Sequence, residues 1–308
     1  MKVGGFNWKL IYNWHDLPAR EIARRKQKTD PVRTPAMVGC VFAINKRYFE
    51  TLGTYDRGMF IWGGENLELS FKLWMCGGEL LTTPCSHDGH IFRHYIPYPW
   101  PSFTDVIWNN TYRLAEVWLD DYKNYYYERR LLPGDSPTCG DESDRKALRE
   151  KLKCHSFEWY LTNIYPEQYR PGESIFYGEI RNRNDSSKCL ETNEDSTEKP
   201  IVSSACSGKG GTQYWIMSES NEIRREEICF AYAGGMTALG QKDSIQTSKC
   251  SNNGQLSVNQ KWEMTNEGQL KHESGFCIEL SANGIDVNMG KCDKENLRQL
   301  WKWKKREK

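Results

Sequence analysis

The chain has 308 residues, and its 42 Lys and Arg residues against 41 Asp and Glu residues give a formal net charge of +1. This balance argues against a protein that binds nucleic acid by neutralising phosphates, and against a polybasic membrane-binding protein. Aromatic residues make up 13% of the chain, which is enough to fill a sizeable core and excludes wholesale disorder. The length predicts two domains.

The first half of the chain carries mixed helical and strand patterns. The apolar run 36–44 predicts a short strand. Residues 65–75 have the spacing of a buried helix and stop at a cysteine and two glycines, which is typical of a glycine-terminated helix. Pro166 and Pro171 mark a linker over 166–175. The predicted helices cover residues 65–75, 110–127, 141–153 and 156–161.

The second half, after residue 175, is dominated by an internal threefold repeat of about forty residues. Each unit opens with a cysteine, carries a second cysteine and closes with Gln-x-Trp. The cysteines are Cys189 and Cys206, Cys229 and Cys250, and Cys277 and Cys292, and the closing tripeptides begin at Gln213, Gln260 and Gln299. The pattern resembles the ricin-type β-trefoil lectin, in which three units enclose one core and cysteines pair within each unit. Each Trp is expected in that core, and each Gln is expected to bond buried backbone groups.

Cysteine content and two N-glycosylation sequons indicate a secretory compartment. The chain has 11 cysteines, and the sequons are Asn109–Thr111 and Asn184–Ser186. The first residues, by contrast, lack the apolar stretch of a signal peptide. We therefore expect a missing segment upstream of Met1. The alternative is a cytosolic protein with free thiols.

A metal-like cluster lies in the middle of the chain, at Cys85, His87, His90 and His94. Its spacing does not match a standard zinc site, and there is no second Cys-x-x-Cys. From the residues alone, a metal role and a packing role both stay open for these histidines. The remaining histidines are expected to be surface or packing residues.

The first half carries a series of motifs, at 4–10, 61–68, 76–78, 84–93, 97–98 and 115–118. In this order they resemble the second part of the catalytic domain of polypeptide N-acetylgalactosaminyltransferases. The family transfers GalNAc from UDP-GalNAc to Ser or Thr of peptides and glycopeptides with retention, using Mn²⁺, and starts mucin-type O-glycans in the Golgi. Its members carry a C-terminal ricin-type lectin domain and an N-terminal membrane anchor.

The resemblance implies a fold and a domain plan. Residues 1–165 are expected to form an α/β domain, the C-terminal half of a GT-A-like glycosyltransferase domain. Residues 166–175 are expected to be the linker, and residues 176–308 an all-β ricin B-type trefoil. Neither nucleic acid nor a membrane is an expected partner of this stretch, since the anchor is expected upstream.

The resemblance also implies site residues. Glu65 and Asn66 are the implied catalytic residues, and His90 matches the later histidine of the metal site, whose Asp-x-His pair belongs to the upstream half of the family's domain. The implied donor-binding residues are Gly39, Trp62, Arg93 and Tyr98, and the implied acceptor-groove residues are Phe6, Trp8 and Phe92. Core packing is the alternative for the aromatic residues. With part of the metal site missing, we expect no turnover from this chain alone.

Three positions depart from the family pattern. Cys40 stands where a second glycine is usual, Phe60 where an Asp is usual, and the stretch 101–103 where Pro-Gly-Gly is usual. The resemblance implies the disulfide Cys76–Cys154 and a partner upstream of Met1 for Cys85. It implies none for Cys40 or Cys139.

The trefoil departs from the family as well. Working units carry Cys-Leu-Asp and an Asn before the Gln-x-Trp glutamine, and no unit here keeps both. The remaining sugar-binding candidates are Glu191, Asn259 and Glu279. Three hypotheses therefore stand: a transferase represented by its C-terminal portion, a non-catalytic lectin-like protein that binds GalNAc-bearing glycopeptides, or a folded protein with neither activity.

Overall fold

The computed structural model describes residues 1–91, 103–130, 140–192, 196–232, 234, 244–250 and 257–306, with the backbone alone for 103–105 and 173. The chain divides into two compact units. The first unit comprises Met1–Tyr127 and Leu132–Tyr169, and the second comprises Glu128–Leu131 and Arg170–Lys308. No helix within the described ranges is long and apolar enough to cross a bilayer.

The first unit has two small antiparallel sheets and several helices. Strands β1 (Lys2–Phe6) and β2 (Tyr12–Asp16) form a hairpin, and β3 (Val32–Arg33) pairs with β4 (Leu81–Thr82). The described helices from the N-terminus to residue 163 are α1 (Ala19–Arg24), α2 (Lys46–Thr51), α3 (Glu65–Met75), α4 (Phe103–Trp118), α5 (Lys123–Arg130), α6 (Ser143–Lys151) and α7 (Phe157–Asn163).

The helix predicted over 65–75 is confirmed, since α3 has those bounds. The helix predicted over 110–127 is interrupted, because Asp120 takes a φ of 50° and a short 3₁₀ turn separates α4 from α5. The strand predicted over 36–44 is wrong for the described structure, which has no named strand there. Ala36 alone forms a bridge, to Gly4, and Val41 is 69% exposed, so the run gains no paired neighbour that would extend it.

An aromatic core holds the first unit together. Phe6 is fully buried and packs with edge-on geometry against Phe71, which in turn contacts Phe157 and Tyr160. Such aromatic pairs stabilise a core beyond the area they bury. The disulfide Cys76–Cys154 joins the end of α3 to the residues after α6. Helix α3 is thereby anchored at Phe71 and at its C-terminal end, which matters because its first residues belong to the candidate site.

The second unit is all-β, with twelve strands in its described residues, four to each sequence repeat. The first repeat holds β5 (Phe176–Asn182), β6 (Lys188–Glu191), β7 (Val202–Ala205) and β8 (Trp215–Met217). The second holds β9 (Ile223–Arg225), β10 (Ile228–Tyr232), β11 (Ile245–Lys249) and β12 (Trp262–Met264). The third holds β13 (Leu270–His272), β14 (Phe276–Leu280), β15 (Val287–Lys291) and β16 (Trp301–Lys305).

The repeats are joined by antiparallel pairing. Strand β8 of the first repeat pairs with β9 of the second, and β12 of the second pairs with β13 of the third. Strand β16 of the third repeat pairs with β5 of the first, so each repeat is paired with both of the others. The hairpins β6–β7, β10–β11 and β14–β15 share one register. In each, the first cysteine of the repeat lies opposite the residue two places before the second cysteine. Single bridges also link the three hairpins to one another.

The Trp of each Gln-x-Trp lies in the core of this unit, as predicted. Each indole N–H donates to a backbone carbonyl in the Cys-bearing strand of its own repeat. The bonds join Trp215 to Leu190 at 2.9 Å, Trp262 to Phe230 at 3.1 Å and Trp301 to Ile278 at 3.0 Å. A buried Trp therefore satisfies its one donor while it fills the core.

The three glutamines are buried and bond backbone groups, also as predicted. Each Nε2 donates to the carbonyl one residue before the second cysteine of its repeat. The bonds join Gln213 to Ala205 at 2.8 Å, Gln260 to Lys249 at 2.8 Å and Gln299 to Lys291 at 3.0 Å. Cysteines pair within each repeat, as Cys189–Cys206, Cys229–Cys250 and Cys277–Cys292. These are the pairings that the sequence implied.

Candidate functional site

The start of α3 is reached through residues 56–66, which we call the site loop. Gly63 and Gly64 have φ angles of 104° and 92°, a region that side chains disfavour, and Gly64 is the N-cap of α3. A Cβ at Gly63 would lie 3.1 Å from Ile107 Cγ1. Glycine is therefore required at both positions for the chain to turn into the helix.

The site loop presents three consecutive large apolar residues to solvent. Phe60 is 65% exposed, Ile61 51% and Trp62 53%. Ile61 also takes a φ of 57°, which is unusual for a β-branched residue and costs free energy that the surroundings must offset. Exposed apolar surface of this kind commonly marks a place where a ligand or another surface packs.

Asn110, on α4, fixes the backbone of this exposed segment. Its Oδ1 accepts a hydrogen bond from the Phe60 N–H at 2.9 Å, and its Nδ2 donates to the carbonyls of Phe60 at 2.9 Å and Trp62 at 3.2 Å. The side chain is 1% exposed, so it cannot exchange these partners for water. One asparagine thereby engages three backbone groups of the exposed segment, of which the Phe60 carbonyl also accepts from the Trp62 N–H at 2.7 Å.

A buried ion pair from the same helix fixes the beginning of the site loop. Arg113 Nε lies 2.6 Å from Asp56 Oδ2, and both side chains are at most 3% exposed. The other carboxylate oxygen of Asp56 accepts from the Gly58 N–H at 2.8 Å, and Arg113 Nη1 donates to the Asp141 carbonyl at 2.6 Å. Helix α4 therefore holds the site loop at two points.

Glu65 and Asn66 are the first residues of α3. Glu65 Oε2 accepts a hydrogen bond from the Gly63 N–H at 2.6 Å, and its charge is favoured at a helix N-terminus. Asn66 Nδ2 donates to the Met37 carbonyl at 2.9 Å. A Cβ at Gly39 would lie 2.9 Å from Asn66 Cβ, so Gly39 lies directly against the start of the helix. The structure thus brings Gly39, Glu65 and Asn66 together beside Trp62.

Two tyrosines show the electrostatic character of this region. Burial, and then the nearby carboxylates of Glu65 and Glu68, raise the pKa of Tyr55 above its usual value. Burial, and then the charge of Cys40, raise the pKa of Tyr12. Both phenols are therefore neutral at physiological pH, and they act there as hydrogen-bonding groups rather than as bases. Cys40 itself is exposed and in no disulfide.

The donor set around His90 is incomplete. His90 is exposed, and among the described residues no group of three potential metal ligands within 4.8 Å includes His87, Asp88 or His90. The two groups of that kind contain disulfide-bonded cysteines, whose sulfur atoms are not thiolates. The described residues therefore do not by themselves fit a Mn²⁺ site, which needs several hard ligands.

Two of the groove candidates lie in the core. Phe6 is fully buried, and Trp8, which is 2% exposed, donates from its Nε1 to the Tyr169 carbonyl at 2.7 Å. Of the two roles that the sequence left open, burial supports packing for both. Three further candidates, Phe92, Arg93 and Tyr98, lie outside the described residues, as do Cys139 and the stretch 101–102. Cys85 is exposed and in no disulfide.

The comparisons with known proteins agree in both halves of the chain. A family model described as the ricin-type beta-trefoil lectin domain matches residues 176–301, and one described as the N-terminal domain of galactosyltransferase matches residues 23–95. Polypeptide N-acetylgalactosaminyltransferase 5 of Caenorhabditis elegans is 47% identical over 306 residues, which are 98% of this chain and 47% of that protein. The putative polypeptide N-acetylgalactosaminyltransferase 9 of Drosophila melanogaster is 45% identical over 305 residues, 98% of this chain and 45% of that protein.

Over nearly its whole length the chain is similar to polypeptide N-acetylgalactosaminyltransferases, and it matches a part of them that includes a ricin-type trefoil. It spans about half the length of the curated relatives that it matches. The crystal structure of GalNAc-T7 with UDP, GalNAc and Mn²⁺ matches it with a TM-score of 0.70 at 30% identity, over 99% of this chain and 56% of that one. The predicted fold class, part of a glycosyltransferase domain followed by a β-trefoil, is confirmed.

In the trefoil unit, the carboxylate of the first repeat is engaged by side chains of the same repeat. Glu191 Oε2 accepts from Gln213 Nε2 at 3.1 Å and from Thr212 Oγ1 at 3.4 Å. The second repeat has Ala231 in the equivalent position. Its exposed Asn259 is therefore not accompanied by a carboxylate at that position that could accept hydrogen bonds from a sugar. Sugar recognition by a lectin repeat needs an acceptor that is open to pyranose hydroxyls.

The carboxylate of the third repeat, Glu279, also has partners within the protein, and one of them is an arginine. Glu279 Oε1 pairs with Arg298 Nη2 at 3.1 Å, and its Oε2 accepts from Gln299 Nε2 at 2.9 Å. A Cβ at Gly290 would lie 2.9 Å from Glu279 Oε2. The Glu279 side chain therefore occupies the space that a larger residue at position 290 would need. Each described trefoil carboxylate at these positions therefore already has intramolecular partners.

Asn110 and Arg113 are the residues that sequence reasoning missed. The sequence places both on a helix, and Asn110 also lies inside a sequon, which draws attention to its neighbour. Their partners in the site loop lie 50 and 57 residues earlier, so no local pattern identifies the contacts. A buried polar residue on an amphipathic helix is the only signal, and it does not name its partner.

Proposed function

We propose that this chain provides the donor-sugar surface of a retaining polypeptide GalNAc transferase, which moves GalNAc from UDP-GalNAc to Ser or Thr of acceptor peptides. The observation that carries the proposal is the site loop. It sets an exposed Trp62 beside Glu65 at the start of α3, through two glycines and a clamp from Asn110. A flat apolar ring with a neighbouring carboxylate is a typical sugar-binding combination.

The roles assigned to these residues follow from their positions. The indole of Trp62 packs against the nucleotide sugar, and Glu65 accepts hydrogen bonds from sugar hydroxyls in exchange for its bond to Gly63. Asn66 is committed to the Met37 carbonyl, so it positions the loop after Gly39. Arg93, Tyr98 and Phe92 stay in the proposal on the resemblance alone.

Manganese enters the proposal through GalNAc-T7, which was solved with UDP, GalNAc and Mn²⁺. This chain offers His90 as one donor, and the ion would neutralise charge on the leaving diphosphate. Because the described residues do not complete a metal site, we expect no transfer by the 308-residue chain supplied with Mn²⁺, UDP-GalNAc and a Thr peptide. Mass spectrometry of the peptide tests this expectation, and a GalNAc-modified product would contradict it.

Binding is the direct test of the donor surface. Saturation-transfer NMR of the full chain with UDP-GalNAc should show contact to the GalNAc ring. Trp62→Ala and Glu65→Gln should each lower the signal severalfold. Trp14→Ala is the matched control, because Trp14 is 55% exposed elsewhere in the same unit. The proposal fails if no GalNAc signal is seen, or if the Trp14 and Trp62 variants lose it equally.

We also propose that the trefoil binds GalNAc glycopeptides only weakly, since Arg298 and Gln299 already engage Glu279. Arg298→Asn should release the carboxylate and raise the association constant of the full chain for a GalNAc glycopeptide about fivefold, or about 1 kcal/mol. Lys294→Asn removes the same charge from an exposed position of the same repeat. Equal binding by the two variants would show that Arg298 does not block the repeat.

Two further parts of the proposal concern boundaries and location. We place the domain boundary within 166–175, between residues 1–165 and 176–308. The Trp8 bond to Tyr169 and the Gln168 bond to the Phe6 carbonyl attach the first part of that stretch to the first unit. Limited proteolysis should therefore cut after Tyr169 and not before.

We place the protein in the Golgi lumen, because four disulfides suit an oxidising compartment, and immunofluorescence of the native protein tests this.

A further inference from the structure

The acceptor asparagines of the two sequons, Asn109 and Asn184, have no part in the proposed transfer. Asn109–Thr111 lies inside α4, whereas Asn184–Ser186 lies in the turn between β5 and β6. An N-glycan acceptor needs an accessible asparagine amide and a hydroxyl residue two positions later, which in folded proteins places it on surface loops. The chain therefore contains two copies of the same signal in opposite structural settings.

The second sequon is open at both of the groups that matter. Asn184 and Ser186 are exposed. Within the described part of the chain, no hydrogen bond engages the Asn184 side-chain amide or the Ser186 hydroxyl. Asn182 Oδ1 accepts from the backbone N–H groups of Asn184 at 2.9 Å and Asp185 at 3.3 Å. The turn is thus held by its backbone, and both reactive side chains stay available.

Asp185, the middle residue of this sequon, is engaged in hydrogen bonds with Ser187. Asp185 Oδ1 accepts from the Ser187 N–H at 3.0 Å and from the Ser187 hydroxyl at 2.6 Å. These bonds hold the pKa of Asp185 below its usual value, so its carboxylate stays charged and directed to Ser187. It therefore does not compete for the amide of Asn184.

The first sequon is closed. Thr111 is 1% exposed, and its hydroxyl bonds the Ile107 carbonyl and the Tyr126 hydroxyl, each at 2.8 Å. Asn110 is equally buried and holds the site loop. Asn109 itself is half-buried in the middle of a helix. The folded protein cannot present this hydroxyl together with an accessible amide.

We propose that Asn184 carries an N-linked oligosaccharide and that Asn109 stays unmodified. The donor class is a polyprenyl diphosphate oligosaccharide in the oxidising compartment that the four disulfides indicate. In the transfer, Asn184 Nδ2 bonds to the anomeric carbon, and the bond from that carbon to the diphosphate oxygen breaks. The diphosphate leaves with the electron pair, and the amide nitrogen loses one proton. The modification is independent of the proposed GalNAc transfer.

The test uses the full chain, secreted from eukaryotic cells behind a cleavable leader and carrying a C-terminal tag with its own accessible sequon. The purified protein is treated with a peptide N-glycosidase in ¹⁸O water, and peptide mass spectrometry identifies each asparagine that becomes ¹⁸O-labelled aspartate. We expect labelling at Asn184 and in the tag. Asn184→Gln and Ser186→Ala should each remove one glycan from the intact mass, Ser186→Thr should retain it, and Asn109→Gln should change nothing.

Two results would overturn the proposal. The first is an unmodified Asn184 in protein whose tag is glycosylated, since the tag reports that the chain met the enzyme. The second is an Asn109→Gln variant that loses a glycan, because the fold would then not decide which sequon is used. Both Asn184 and Ser186 lie in an exposed turn, so their variants are expected to fold, and intact trefoil disulfides by non-reducing peptide mapping verify this.

Discussion

The trefoil and the site loop are stabilised in opposite ways. The trefoil makes the same contacts three times, with one buried Trp, one buried Gln and one disulfide in each repeat. The site loop is made once, from one Asn110 clamp and one buried carboxylate, Asp56, which lies 2.6 Å from Arg113 and 3.8 Å from Arg145. Repetition keeps the trefoil scaffold intact while its sugar-binding positions change, whereas the site loop has no second copy of any contact.

The difference explains where each region tolerates change. In the trefoil, Glu191, Ala231 and Glu279 occupy equivalent positions with three different environments, yet the hairpins around them keep one register. In the site loop, the glycines with positive φ and the buried clamp leave little freedom for substitution. Structural residues of the trefoil should therefore give similar effects in all repeats, and site-loop residues should give effects confined to the loop.

The largest expected effect tests the equivalence of the repeats. Trp215→Ala should destabilise the trefoil by about 4 kcal/mol, because it opens a cavity and leaves the Leu190 carbonyl without its donor. Trp262→Ala and Trp301→Ala should cost the same within about 1 kcal/mol, since both rings are buried and their indole N–H bonds match that of Trp215. Hydrogen exchange of trefoil amides measures this separately from the first unit. Unequal losses among the three variants would show that the repeats are not energetically alike.

The next largest effect concerns the ion pair that begins the site loop. Arg113→Met should destabilise the first unit by about 3 kcal/mol, because it removes the closer of two cations from the buried Asp56 carboxylate and leaves only Arg145, whose Nε lies 3.8 Å away. Arg33→Met is the matched control, since Arg33 and Glu79 form an exposed pair that is worth at most about 1 kcal/mol. Denaturant unfolding followed by hydrogen exchange in α4 compares the two. Similar losses would mean that burial does not determine the worth of the pair.

A smaller effect is expected from the clamp itself. Asn110→Ala should cost about 2 kcal/mol locally, because the Phe60 N–H and the Trp62 carbonyl lose their bonds to the Asn110 side chain. The Phe60 amide should exchange faster, and saturation transfer to the GalNAc ring should fall. Asn109→Ala changes the neighbouring, half-buried residue and should leave both measurements unaltered. An unchanged Phe60 exchange rate in the Asn110 variant would show that Asn110 does not hold the site loop.

The smallest expected effect is a pH dependence of trefoil stability that comes from His272, in the third repeat. Burial lowers the pKa of His272, whose Nδ1 accepts from the Ser274 N–H at 3.1 Å. The unfolded chain binds the proton first, so trefoil stability should be complete above about pH 6.5 and should fall as pH drops through the lowered folded pKa. His272→Gln should flatten this dependence. Urea midpoints at several pH values measure it, and a parallel decline in the variant would assign the pH effect elsewhere.

Local patterns in the sequence identified much of the fold. Helix α3 was predictable because its apolar spacing and its terminal glycines act within one segment. The trefoil was predictable because a threefold repeat of Cys and Gln-x-Trp specifies which residues must share a core. The run 36–44 misled because apolar composition predicts a strand only where a neighbouring strand is available to pair with it.

For the site, the sequence by itself determined that two glycines precede a helix, whereas the roles of Trp62 and Glu65 came from the resemblance and stay predictions. The tertiary structure decided that Phe6 and Trp8 are core residues and that Asn110 and Arg113 hold the site loop. It also decided that only one of the two sequons is open. Burial and hydrogen-bond partners depend on residues far apart in the chain, and a local pattern carries no information about which distant residue will be its neighbour.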